Sequence, residues 1–447
     1  MKSLKVYGLL LSSTLIFTAS CSKDDVAEYT TPDDLVLEET LINLYGSIDS
    51  LVLPPSNAYS EIPNDPQNPL TKDKIILGKL LFHETGLALN PKKEEGQGTY
   101  SCASCHHAKA GFQSGVKQGI GEGGTGFGLN GETRKISSEY TPELIDVQPL
   151  RSPTILNSAF QKVMLWNGQF GATGPNAGTE TEWTVDTPKE QNNLGFEGVE
   201  IQAIAGLGVH RLKIDSTIIS DLGYKNMFDT AFGDIEENKR YTLLNAGLAI
   251  AAYERTVMPN AAPFQWWLRG DKDAMTAEEK KGAQLFFGKA NCYSCHSGPA
   301  LNAMEFHALG MNDLQGAGVH GEVDMATKKG RGGFTKNPED DYAFKTPTIY
   351  NLKDVKFLGH GGSFASVKDI IEYKNAAVAQ NSEVATTQLS PAFVPLNLTA
   401  DEITQLTVFL ESALYDGRLE RYTPDSLPSD NCFPNADTAS KSDMGCE

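Results

Sequence analysis

Residues 101–111 read SCASCHHAKAG and residues 291–298 read NCYSCHSG. Each stretch holds C-x-x-C-H: Cys102, Cys105 and His106 in the first, Cys292, Cys295 and His296 in the second. Two thiols at this spacing can form thioethers with the vinyl groups of a haem, and the imidazole that follows reaches the iron from one face. Four thiolates could instead hold zinc, but zinc has no use for a histidine directly after each pair. A thioredoxin-type redox pair would need a β-α-β context that is lacking. The residues therefore point to two covalently bound haem c groups with His106 and His296 as proximal ligands. His107 cannot reach the other face of the same iron, because adjacent side chains do not span a porphyrin. It is read as a surface or propionate-side histidine.

Similar landmarks surround both motifs. LGKLLF (77–82) precedes the first and KGAQLFF (281–287) the second, matching Gly78, Leu81 and Phe82 with Gly282, Leu285 and Phe286. RSPTILN (151–157) follows the first, with Trp166 nine residues after Asn157; KTPTIYN (345–351) follows the second, with His360 nine residues after Asn351. Spacing kept across both blocks predicts an internal duplication.

Helical signals dominate. Thr71 can cap a helix carrying Ile75, Leu77, Leu80 and Leu81, and Thr276 with Glu279 and Thr399 with Glu402 read as capping boxes. The apolar stretch 240–257 reads as a buried helix opening the second module, and the glycine-rich stretch 118–133 as a loop. The expected fold is mainly α and loop-rich, with two cytochrome-c-like haem domains related by internal duplication. Its parts are a signal peptide (1–20), an acidic tether with room for a helix (21–70), an N-terminal haem domain (71–240), a C-terminal haem domain (241–425), and a tail (426–447) in which Cys432 and Cys446 can pair.

At 447 residues and 40% hydrophobic composition, the chain is long enough for two globular cores. Its first twenty residues place Lys2 and Lys5 before an apolar run too short to span a membrane, then small residues before Cys21. That layout resembles a lipoprotein signal whose cysteine is acylated, with Thr18 where Leu is usual. The expected location is the bacterial envelope, periplasmic side or cell surface, with the membrane reached through a lipid anchor. The formal charge of −19 repels nucleic acid and steers a small basic partner.

Taken together, LGKLLF, CASCH, RSPTILNSAF, LWNG, AIAAYERTV, CYSCH, FKTPTIYN and HGGSFASVKDIIEY resemble the bacterial dihaem cytochrome c peroxidases and the related enzyme MauG, over roughly residues 71–415. The resemblance implies hydrogen peroxide reduced at the N-terminal haem with electrons entering at the C-terminal one. The donor would be a small protein such as a cytochrome c or cupredoxin, and members are often homodimers. Other readings are a MauG-like oxidase of a protein or organic substrate, or a non-enzymatic dihaem electron carrier.

The resemblance also assigns site residues. In other members a histidine after the first motif blocks the peroxidatic iron until reduction displaces it. Residues 108–128 contain no histidine, so that iron is expected to be open. Gln202 matches the family's distal glutamine. The distal glutamate position falls near Leu212, which leaves His210, Glu200 or Glu197 as the acid/base. Trp166 matches the inter-haem tryptophan. The second axial ligand of the C-terminal haem falls at Lys374, or at Tyr373 after a one-residue slip, with Met304 and Met311 as thioether alternatives. Arg151 stands where the family's calcium ligand Asn would be, opposite Val355, Lys356 and Phe357, so no calcium is expected there.

Overall fold

The computed structural model describes Met1 and residues 30–446; the signal segment and Cys21 lie outside the described residues. Among the described residues the fold is helical and loop-rich, with two short antiparallel ribbons: Gly124–Thr125 with Lys135–Ile136, and Phe306–His307 with Phe344–Lys345.

Two hydrophobic cores organise the chain. The first gathers helices Lys72–His83, Gly198–Val209 and Leu243–Thr256 around Leu81, Phe82, Leu207 and Tyr253. The second gathers Pro32–Tyr45, Pro263–Leu268, Ala277–Phe286, Val367–Ala376 and Ala400–Val408 around Phe264, Phe286 and Phe409. The anticipated caps form: Thr71 accepts from Lys74 N–H, and both capping boxes close, at Thr276/Glu279 and Thr399/Glu402.

Two expected boundaries are corrected. Helix Leu243–Thr256, expected to open the second module, closes the first, packing on Lys72–His83 and Gly198–Val209. Residues 30–70 are not a tether. Leu37, Leu41, Leu51 and Leu53 are fully buried in the second core, and Asp34 is sealed there by Lys280 at 2.7 Å and by the Trp267 indole N–H at 2.7 Å. The composition was acidic, but its leucines recur on one face of a capped helix and have a core to enter.

The matched landmarks carry matched local geometry. A Cβ on Gly78 would sit 1.8 Å from the Ala249 carbonyl oxygen, and one on Gly282 would sit 2.1 Å from that of Gln405. In each half, then, the helix before the motif crosses another where no side chain fits. Asn157 and Asn351 both adopt left-handed φ, 60° and 57°. The halves also interlock reciprocally: Arg151 N–H donates to His360 O at 2.9 Å, and Lys345 N–H donates to Trp166 O at 2.7 Å.

The tail crosses back to the first half. Cys432 and Cys446 form a disulfide, and helix Thr438–Met444 lies between them. Asp437 Oδ1 accepts from Thr125 Oγ1 and Gly126 N–H, and Asp443 Oδ2 accepts from Phe127 and Gly128 N–H, both at 2.8 Å. The glycine-rich loop is thus clamped by backbone-to-carboxylate bonds. No helix among the described residues is long and apolar enough to cross a membrane.

Candidate haem sites

Both C-x-x-C-H motifs form a short 3-10 turn, Cys102–Ser104 and Cys292–Ser294, that carries the two thiols and sets the histidine just beyond. His106 Nδ1 lies 3.3 Å from Phe112 O; His296 Nδ1 lies 3.2 Å from Leu301 O and 3.1 Å from Pro347 O. A carbonyl only accepts, so each ring carries its proton on Nδ1 and keeps the Nε2 lone pair for a metal. Burial pushes both imidazoles down to about 4, the neutral state that ligation needs.

Burial likewise pushes the thiols of Cys102, Cys105 and Cys292 up to about 12. Such thiols are poor thiolate ligands, and among the described residues no group of three or more His, Cys, Asp or Glu is placed to hold a metal. The four cysteines therefore do not converge as a zinc site. The second motif opens on a cavity of about 540 Å³ whose walls include Cys292, Cys295, His296, Trp166, His360 and Lys374.

Near the first motif, His107 Nδ1, directly after it, and Glu254 Oε2, whose charge acts on Cys102, are shielded from solvent without a hydrogen-bond partner. Buried polar atoms are normally paired, so these exceptions fit a missing polar-edged group. Neutral Nδ1-protonated histidines, protonated thiols and these atoms together fit haem.

The sequence of a family model for di-haem cytochrome c peroxidase matches residues 72–273. Residues 72–273 are thus similar to the di-haem cytochrome c peroxidases. Cytochrome-c peroxidase IdrP1 of Denitromonas iodatirespirans is 29% identical over 383 residues, 80% of this chain and 86% of its own. Methylamine utilization protein MauG of Methylorubrum extorquens is 27% identical over 354 residues, 78% of this chain and 81% of its own. Among solved structures, a MauG-like protein associated with microbial copper homeostasis aligns over 82% of this chain and 95% of its own, at 22% identity and a TM-score of 0.55, a likeness of fold. That similarity is to a family of di-haem oxidoreductases.

The expected site residues divide once their neighbours are known. Gln202 and His210 stand on one helix and at its C-terminal cap. His210 Nδ1 donates to Asp146 Oδ2 at 2.7 Å, and Arg211 reaches the same oxygen at 3.2 Å. Burial works against ionisation of Asp146, but His210 and Arg211 outweigh it and hold the carboxyl below its ordinary range. His210 is near enough to His106 for its charge to help depress that ring.

Glu200 is a correction. It is fully buried and paired with Arg255 through both oxygens, 2.9 and 2.6 Å, and Asn68 also donates to it. Glu197 lies 3.1 Å from the same guanidinium. A carboxylate consumed by a buried ion pair is not free to shuttle a proton.

Tyr373 is a second correction: its hydroxyl donates to Leu309 O, its ring packs between Phe364 and Phe393, and it does not line the cavity, whereas Lys374 and Met311 do. Met304 is not on the wall. His107, read as a surface or propionate-side histidine, is buried with its ring edge-on to Phe127 at 5.0 Å, which excludes the surface alternative.

Trp166 stands between the halves. Its indole N–H donates to Arg151 O at 2.8 Å and its ring lies 6.4 Å from that of His360. The Arg151 guanidinium donates to the carbonyls of Ser114, Val116 and Lys117 and stacks on Phe357. It therefore occupies the oxygen donors a cation would need there.

Sequence reasoning missed Glu254. Its carboxyl is fully buried near Cys102, and burial, with Glu200 adding, pushes it up to about 8. The one available signal was a glutamate inside an otherwise apolar helix, AIAAYERTV.

Proposed function

We propose that the chain is a dihaem c-type peroxidase that reduces hydrogen peroxide at the His106 site with electrons delivered through the His296 site. The observation that carries the reading is the His210–Asp146 pair, at the C-terminal cap of the helix that carries Gln202 and close enough to His106 for the His210 charge to act on that ring.

A haem held by Cys102, Cys105 and His106 supplies the redox-active iron at which the peroxide O–O bond is reduced. His210 takes the proton from one peroxide oxygen and returns it to the other as the bond opens, with Asp146 stabilising the charged imidazole between the two events. Gln202 orients the peroxide by its amide. Overall, peroxide takes up two electrons and two protons and gives two waters. Cys292, Cys295 and His296, with Lys374 on the same cavity wall, would hold the second haem, and Trp166, on that wall too, would relay electrons between the sites.

The halves are read as duplicated cytochrome-c-like units meeting near residue 257, and Cys21 as the point of lipid attachment in the envelope. The electron donor is a small basic redox protein.

Electron paramagnetic resonance of the oxidised, haem-loaded protein tests the open site: one high-spin and one low-spin signal are expected. Two low-spin signals would sink the peroxidase reading and favour an electron carrier. Steady-state peroxide turnover with reduced cytochrome c should fall about a hundredfold or more in His210→Ala; an unchanged rate removes His210 from the mechanism. Cys21→Ser should move the protein from membrane to soluble fractions.

A further inference from the structure

Two cations occupy matching positions in the repeated segments: Arg151 opens RSPTILN and Lys345 opens KTPTIYN. Both are buried, and burial alone lowers each, Arg151 to about 10 and Lys345 to about 7, with no carboxylate opposing it. Their surroundings differ. Arg151 spends its guanidinium on Gln113 Oε1 and three backbone carbonyls, and it is not on the cavity wall.

Lys345 lines the cavity shared with Cys292, Cys295 and His296. Its ammonium has three donors. Two are used, on Gln161 Oε1 and on Val163 O at 2.7 Å. The carboxylate that does reach the cavity wall, Asp313, faces His360 Nε2 at 3.5 Å instead.

A buried ammonium with a spare donor and no counter-ion is costly unless an anion completes it. We infer that Lys345 binds a propionate carboxylate of the haem attached at Cys292 and Cys295. The inference rests on the second motif carrying haem, and not on peroxide chemistry. Through Val163 O and its own N–H to Trp166 O, Lys345 also ties that propionate to the strand that carries the inter-haem indole. Arg151, with four of its five donors on the protein and no place on the cavity wall, serves packing at the equivalent place.

The test is a spectroelectrochemical titration of the second haem between pH 5.5 and pH 8, in wild type, Lys345→Met and Lys345→Arg, with haem counted as the pyridine haemochrome. In wild type the ammonium keeps the propionate ionised in both redox states, so the midpoint should be nearly flat with pH. In Lys345→Met it should drop, because a cation favouring the electron-rich form is gone, and it should acquire a pH slope as the propionate takes a proton on reduction. Lys345→Arg should restore the flat profile.

Two haems and an unchanged titration in Lys345→Met overturn the inference alone; a chain with no haem at Cys292 and Cys295 overturns it together with the cofactor assignment. Should Lys345→Met not fold, redox-difference infrared spectra of wild type with haem carrying 13C at the propionate carboxyls decide the matter. Ionised carboxylate bands in both states are expected for the held propionate, and protonated carboxyl bands for both propionates overturn the inference.

Discussion

At the scale of single residues, two carboxylates on or beside the same helix have opposite fates. Glu200 neutralises Arg255 where both are fully enclosed, so Glu200→Gln should destabilise the fold by about 3–5 kcal/mol, the usual cost of stranding a buried charge. Asp146→Asn should cost far less in a thermal melt but should slow peroxide turnover. A melt in which Glu200→Gln matches wild type would remove the structural role assigned to it. Glu254 gives a pH signature. Its folded proton affinity lies far above that of an unfolded glutamate, so the stability it contributes is complete below about pH 4.5 and is lost as pH rises towards about 8. Glu254→Gln should abolish that decline, and denaturant midpoints at pH 5 and pH 8 measure it.

The C-x-x-C-H residues were legible because the haem chemistry proposed for them requires fixed spacing, whereas the proposed acid/base residue was not. His210, Glu200 and Glu197 all had suitable groups. Only the position of Arg255, fifty-five residues from Glu200, separates them. Likewise Tyr373 and Lys374 are adjacent in sequence, and it is the turn of helix Val367–Ala376 that sends one into aromatic packing and the other to the cavity.

Among the elements, the capped amphipathic helices were readable, since caps and apolar faces are local signals. Helix Leu243–Thr256 was recognised as buried yet assigned to the wrong half. It is apolar nearly all round, so nothing in its pattern says which core it enters. Its crossing with Lys72–His83 depends on Gly78, where a methyl group would meet backbone. Gly78→Ala should therefore destabilise by roughly 1–3 kcal/mol through forced backbone displacement, read as a lowered melting temperature; Gly208→Ala, with open space around it, is the control. The tail clamp predicts a local effect. Removing the disulfide with Cys432→Ser and Cys446→Ser should speed amide hydrogen exchange at residues 126–128 while leaving the helices around Phe286 unchanged.

For the molecule as a whole, composition gave two cores but not their borders, because residues 30–70 join a core whose other members, Ala159 apart, begin at Met258. The charge of −19 was legible and bears on kinetics. With a basic cytochrome as donor, the second-order rate should fall steeply as ionic strength rises; with a neutral or acidic donor it should not. Stopped-flow reduction at several salt concentrations separates the two.

The position of the tail also constrains how the protein is made. Ser101 and Ser104, inside the first C-x-x-C-H turn, both donate to Pro434 O, two residues from Cys432. One sulfur that must be oxidised is thus delivered beside two that must stay reduced until haem is attached. Burial keeps Cys102 and Cys105 protonated once this region is packed, so exchange with that bridge belongs to the chain before packing, when a mixed disulfide would bar haem attachment. If the first motif carries haem as proposed, biogenesis has a preferred order: haem attachment first, then closure of the Cys432–Cys446 bridge.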